Sequence, residues 1–401
     1  FCHNFSGSST VVALLMVVGT GYDYYLSMKL RRNTATIYDL EKHAKLEQNS
    51  NGIRKMANDV CEELLLSFSV RANMRVICDP AVGRDTISTV HGLRAISMAW
   101  VILGHTCIVI FNYADNTEYR KVVEKKFLFQ TITNGAFSVD TFFFMGGLLV
   151  SFLYFRTNAM GDLNKLTQGT RGFVAGCLKF MGFIVYRFCR LTAPYLFILG
   201  VVEVSMKWFH ANSVFEPPTA DHYNCPNYWW RNLLYINTLF PVDQMVNLFL
   251  FLYFSQTTVV VGWLLSIACL LSLLYGLYEA ELSPVTAAAY SSLSHSAWAL
   301  GLSWIVIACS TGWVNDILSA PILYPFSRVT YCAYLVHPII IRLTAMNLDS
   351  PFHLGKDTVV IAFFGQVVLS YILSFVVSVA FEAPVVSMLK ILSPKKRKRI
   401  P

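Results

Sequence analysis

Charge is scarce in this sequence. Asp, Glu, Lys and Arg make up 14% of its 401 residues, whereas 55% are hydrophobic; a soluble domain carries about 25% charged residues. The shortage excludes an ordinary soluble fold. Apolar stretches of about 17 residues or more, the length of a bilayer crossing, recur along the chain. Metal-site patterns are missing as well: the ten cysteines form no Cys-x-x-Cys pair and no Cys/His ligand spacing. Cys107, Cys269, Cys309 and Cys332 lie in apolar runs, where cysteine behaves as a small hydrophobe. Neither a bound metal nor a resident cofactor is expected. No repeat of about 20–50 residues is present.

What charge there is has a direction. The net charge of +8 does not form a nucleic-acid face, because the basic residues sit in loops and in the tail PKKRKR, residues 394–399. A basic cluster after a membrane helix marks the cytoplasmic side or meets anionic lipid. Membrane lipids are thus expected partners and nucleic acid is not.

Candidate spans are 11–28, 92–112, 136–155, about 186–208, 246–278, 297–313, 329–346 and 358–381, which predicts an all-α, polytopic transmembrane bundle of about 8–10 spans. Segment 29–89 and loop 156–190 are rich in Lys and Arg, whereas 209–245 has only Arg231 and 279–296 has none. The positive-inside rule places the first two and the tail in the cytoplasm and the last two outside. The sequon Asn4-Phe5-Ser6 lies on the outer side of this scheme. Phe1 in place of Met points to an incomplete N-terminus.

One region breaks the parity. Only the block 246–278 separates two loops that both read as outside, and its 33 residues reach about 50 Å, short of two crossings. The block is either a re-entrant hairpin broken near Ser255-Gln256-Thr257-Thr258, or a helix has been deleted near residue 245. The expected organisation is a stub and first transmembrane helix (1–28), a cytoplasmic connecting segment with a helix at about 54–70 (29–84), a membrane domain (85–390) and a basic cytoplasmic tail (391–401).

Ionisable residues inside the spans are the candidate site, since such groups are costly in lipid and face a cavity or a partner. In HGLRAISMAWVILGHT, Arg94 and His105 are eleven positions apart. At about 100° and 1.5 Å per residue they share a face, about 16 Å apart along the axis. Arg94 lies near the cytoplasmic end; His105, near mid-membrane, can act as a general base on a hydroxyl. Asp140 in GAFSVDTFFFMGGLL sits near a helix end, where an acid also suits the helix dipole, and the adjoining glycines invite close helix approach. Arg187 and Arg190 in YRFCRLTAPY share a face at the cytoplasmic surface, and paired guanidiniums suit phosphate. In RVTYCAYLVHP, Tyr331, Tyr334 and His337 share a face, as an aromatic belt also would. Glu382 in FEAP pairs with a basic residue or caps a helix.

The ordered set GLRA-x8-H, VDTFFFMGGLLVS, YRxxRLTxPY, YxxYLVHP and FExP resembles the acyltransferase-3 family of integral membrane proteins, and more narrowly its animal "nose resistant to fluoxetine" branch. The likeness covers about 85–245 and 296–390. It implies a bundle of about ten helices that moves an acyl group from cytoplasmic acyl-CoA, a co-substrate, to a hydroxyl of a lipid or small-molecule acceptor. It implies Arg94 and His105 as the functional pair, Arg187 and Arg190 on the donor, and Tyr334 and His337 in support. Two departures stand out. Gly146 fills a slot that is usually serine, and the Trp-rich segment expected after LLYINTLFP is missing, which again points to a deletion near residue 245.

The leading expectation is an O-acyltransferase in the endoplasmic reticulum or plasma membrane. The alternatives are a non-catalytic lipid or xenobiotic transporter on the same scaffold, or an inactive truncated variant. A channel or receptor has no filter or ligand signature to support it.

Overall fold

The computed structural model describes residues 2–40, 60–80, 87–159, 170, 172–215, 221–234, 259–278, 283–308 and 313–392. Among these, every regular element is helical, and five helices are long and apolar enough to cross a membrane: Ser6–Lys29, Thr89–Asn112, Ala136–Asn158, Phe173–Asn212 and Lys356–Ile391. The expected all-helical membrane bundle is thus present. Its borders differ from hydropathy. The expected span 186–208 lies within a helix of 40 residues, and 297–313 is replaced by a helix that starts at Pro284. The block 246–278 is described only from Val259, so the suspected deletion lies outside the described residues.

The chain forms two compact units. The first comprises 1–78, 163–200 and 376–401; the second comprises 79–162 and 201–375. In the first, α1 (Cys2–Leu40) packs on α2 (Val70–Cys78). Of the helix expected at about 54–70, residues 54–59 lie outside the described residues and 60–66 are helical; it ends before α2, where Ser69 caps the new helix: its Oγ accepts the Ala72 N–H at 3.2 Å and donates to Asp23 at 2.9 Å. Gly19 permits the approach, since a Cβ there would lie 2.6 Å from the Leu65 carbonyl oxygen. Asn73 Nδ2 donates to the carbonyls of Ser67 and Val379. Val379 belongs to a π-helical turn, Ser378–Glu382. Pro384 follows within two residues; its ring crowds the carbonyl four positions back, and a widened turn relieves that clash.

In the second unit α3 (Thr89–Asn112) is central. It packs against α4 (Ala136–Ala159), against Thr330–Met346 and against the short helices Trp313–Leu318 and Leu323–Arg328. Gly92 is required there: a Cβ would lie 2.5 Å from the Leu318 carbonyl oxygen. The helix Phe173–Asn212, α5, contributes its part beyond Gly200 to this unit. It is followed by α6 (Asp221–Leu233), α7 (Val259–Tyr275) and α8 (Pro284–Ala308), then by α9 (Thr330–Met346) and α10 (Lys356–Val377). The core of α3, α4 and α9 is built from Met98, Ile102, Val139, Ala333 and Ile341. A second core joins α4, α7 and α8 through Phe137, Leu273, Trp298 and Leu302. The ends of α3 and α10 are tied where Phe352 exchanges backbone bonds with Tyr113 and Asp115, both 2.9 Å.

Candidate functional site: two histidines in an apolar bundle

The second unit brings His105 and His337 together. Heptad-like apolar positions bury one face of α3 against α9 (Met98, Val101, Ile102 and Cys107 are all buried), which carries His105 past α9 about two turns short of the Tyr113 end. The imidazoles of His105 and His337 meet at a centroid distance of 5.1 Å with planes 62° apart. Tyr334, one turn earlier on α9, stands 5.7 Å from His337 and 6.2 Å from Phe142.

His337 is almost wholly buried, 1% exposed. Its Nδ1 lies 3.1 Å from the Ala333 carbonyl oxygen, which can only accept. Nδ1 therefore carries a proton, and in the neutral ring Nε2 is an acceptor. Nε2 has no partner among the described residues. His105, by contrast, is an exposed residue of α3. The pair is thus one exposed histidine backed by a buried one whose Nε2 has no partner among the described residues.

Arg94 is not in contact with this pair. It is half-buried near the start of α3 and interacts electrostatically with His91 and Tyr371. The cation near His105 is instead Arg342, which also acts on Tyr113. The sequence signal was available, since Arg342 interrupts the apolar run of α9. Asp140 has a partner of its own: His295 Nδ1 donates to it at 2.7 Å across α4 and α8. Glu203, buried on α5 and bonded by Lys207 at 2.8 Å, is a further intramembrane charge that the motifs did not flag. The close helix approach expected at Gly146 is absent, for a Cβ there would meet nothing within 4 Å. Among the described residues, no cluster of three or more His, Cys, Asp or Glu forms a metal cage.

The first unit holds the other expected residues. Arg190 Nη2 donates to Glu382 Oε1 at 2.8 Å, and Ser378 Oγ donates to Glu382 Oε2 at 3.1 Å. Glu382 is 4% exposed, so a buried carboxylate is satisfied on both oxygens. Arg187 rests over the Phe183 ring, 5.9 Å from its centroid.

With this geometry in view, the chain is similar to nose resistant to fluoxetine protein 6 of Caenorhabditis elegans: 23% identical over 475 aligned positions that take in 87% of this chain and 56% of that protein. The likeness agrees with the branch that the motifs suggested. The chain spans about half the length of this curated relative. Since 87% of 401 residues is about 349, fewer than the 475 positions aligned, the relative carries residues inside the matched region that this chain lacks. No family model and no solved structure matches the chain.

Proposed function

We propose that the chain is the acyl-transferring part of a multi-pass membrane protein similar to the nose-resistant-to-fluoxetine proteins. It would move an acyl group from acyl-CoA to the hydroxyl of a lipid or small molecule. The observation that carries this reading is the His105–His337 pair: an exposed histidine inside an apolar bundle, backed by a buried acceptor nitrogen. In the proposed step His105 takes the proton of the acceptor hydroxyl, and the oxygen attacks the thioester carbonyl carbon. The C–S bond breaks, CoA leaves as thiolate, and the proton passes from His105 to that sulfur. His337 Nε2 accepts an N–H of His105 as positive charge grows there. Arg342 supplies positive potential where the tetrahedral oxyanion forms.

Arg187 and Arg190 remain the proposed contacts for the donor's phosphates. Arg190 already serves Glu382, so it would have to bind phosphate with its remaining donors. That engagement favours keeping a second reading in view, a lipid or xenobiotic transporter on the same scaffold, in which the histidines relay protons.

The test is direct. Purified protein is incubated with acyl-CoA labelled in the acyl group, in lipid nanodiscs, beside His105→Ala. Transfer or hydrolysis that falls by about a hundredfold in the variant supports the catalytic reading. Equal turnover by both proteins, or none by either, defeats it and leaves transport.

A further inference from the structure

The link between α3 and α4 does not loop away into water. It holds the helix Thr117–Glu124 and a tight 3-10 turn, Phe127–Phe129. The Phe129 ring lies 5.9 Å from Phe111, which sits at the end of α3. Trp100, midway along α3, donates its Nε1–H to the Thr131 carbonyl at 2.8 Å. Between these two contacts the chain descends along the wall of α3. The Phe127 ring stacks on Tyr275, the last residue of α7, at 4.6 Å with planes 19° apart, and meets Tyr278 edge-on at 5.3 Å. Tyr275 and Thr131 share a hydrogen bond of 2.8 Å, and the Tyr278 hydroxyl donates to the Lys125 carbonyl at 3.3 Å. Two apolar helices thus end at one level beside tyrosines, which is the composition of a bilayer boundary.

Four consecutive residues at this boundary are exposed: Lys125, Lys126, Phe127 and Leu128. Leu128 is 75% exposed and Phe127 48%, while the next residue, Phe129, is buried. The charges just before them engage one another: Arg120 meets Glu124 at 2.6 Å and Lys121 meets Glu118 at 2.7 Å. The ammoniums of Lys125 and Lys126 have no partner among the described residues, so they are the uncompensated charge of the segment. Leucine is stabilised among acyl chains, and lysine stems lie along them while the ammoniums stay with the headgroups. Two adjoining free cations also select among headgroups. A zwitterionic lipid carries its own cation beside its phosphate, whereas an anionic phospholipid offers a negative charge that nothing else offsets. A soluble anion would serve the lysines but leave Leu128 and Phe127 uncovered. A second copy docked here by two-fold symmetry would bring the same lysines against these.

We infer that segment 125–128 holds an anionic phospholipid of the surrounding bilayer, with its phosphate at the two ammoniums and its acyl chains against Phe127 and Leu128. This site is separate from the basic tail and does not depend on acyl transfer, and the test reads binding alone. The full chain is placed, one copy per disc, in phosphatidylcholine nanodiscs. A minor amount of phosphatidylglycerol carrying a diazirine on its acyl chain is included, or in parallel the same probe built on phosphatidylcholine, and adducts are mapped by mass spectrometry. Adducts are expected on 125–129, Tyr275 and Tyr278. Each lysine near a charged lipid is worth about a factor of five, so the phosphatidylglycerol probe should label these residues about twentyfold more at low salt. In 1 M salt that preference should shrink severalfold, because exposed charges are screened.

Lys125→Gln with Lys126→Gln removes two exposed ammoniums without touching the core, and should bring the two probes to equal labelling. Leu128→Ser should lower labelling by both probes alike. Equal labelling by the two probes in the unmodified protein overturns the inference with no substitution involved. So do a preference that survives the double lysine variant, adducts confined to other segments, or displacement of the probe by soluble glycerol phosphate. Labelling that falls as the protein-to-lipid ratio is raised in vesicles also overturns it, since a second copy is then what covers the segment.

Discussion

Glu382 in the first unit and His337 in the second are buried to nearly the same degree, 4% and 1% exposed, but their valences are filled differently. Glu382 has Arg190 on one oxygen and Ser378 on the other. His337 has one nitrogen on a carbonyl and the other on nothing described. Burying a polar group costs free energy that only a partner returns. A filled group therefore reads as structural, and an unfilled one marks a place where a second molecule or a proton is expected. The comparison separates two kinds of intramembrane polar residue that a motif search treats alike.

The largest effect should come from the unfilled side. His105→Ala should lower acyl transfer about a hundredfold or more while the melting temperature in detergent moves little, because the residue is exposed on α3. A large melting shift would place His105 with the structural residues. On the filled side the two halves of the ion pair should differ. Arg190→Met strands a carboxylate that is 5% exposed, and should destabilise by about 3–5 kcal/mol. Glu382→Leu strands a guanidinium that is 43% exposed and can reach polar surroundings, so about 1–2 kcal/mol is expected. The double variant should recover most of the loss. Thermal unfolding of all three measures the asymmetry, and equal losses would show that the carboxylate is not the vulnerable partner.

A smaller loss, about 2 kcal/mol, is expected for Asn73→Leu, which leaves the Ser67 and Val379 carbonyls short of a donor. Hydrogen exchange at Val379 and its neighbours would read it, and unchanged protection there would remove Asn73 from the filled class.

How much of this was legible beforehand follows from what kind of relation each residue enters. The helical class was legible because apolar length and sparse charge are properties of a segment taken alone. Helix ends were not: hydropathy marks the stretch that suits lipid, while the backbone of Phe173–Asn212 continues helical through Lys179 and Lys207, which water or a headgroup can solvate. Glu382, an acid at the end of a span, suits either a basic partner or a helix cap. The partner's identity waited for the fold. Arg94 and His105 do share a face of α3, as their spacing requires, yet contacts are made across helices, and spacing says nothing about those. His295 and Arg342 each gained meaning from a neighbour on another helix. Gly92 and Gly146 show the same limit, since both are glycines inside apolar helices and only Gly92 is pressed against a carbonyl.

The smallest expected effect on stability is also the one that tests the comparison most closely. His337→Phe replaces the buried imidazole with a ring of similar shape that carries no nitrogen. It forfeits the bond to the Ala333 carbonyl, but the backbone N–H of residue 337 still serves that oxygen within α9, so the loss is slight. It also removes an acceptor that was buried without a donor, which is a gain. The two nearly cancel, and stability should stay within about 1 kcal/mol of the parent. Acyl transfer should fall all the same, because His105 loses the nitrogen that accepts its N–H. A stable, inactive His337→Phe protein is what an unfilled functional group requires. If the variant instead loses 3 kcal/mol or more in thermal unfolding, the imidazole is holding the helices together, and His337 belongs beside Glu382.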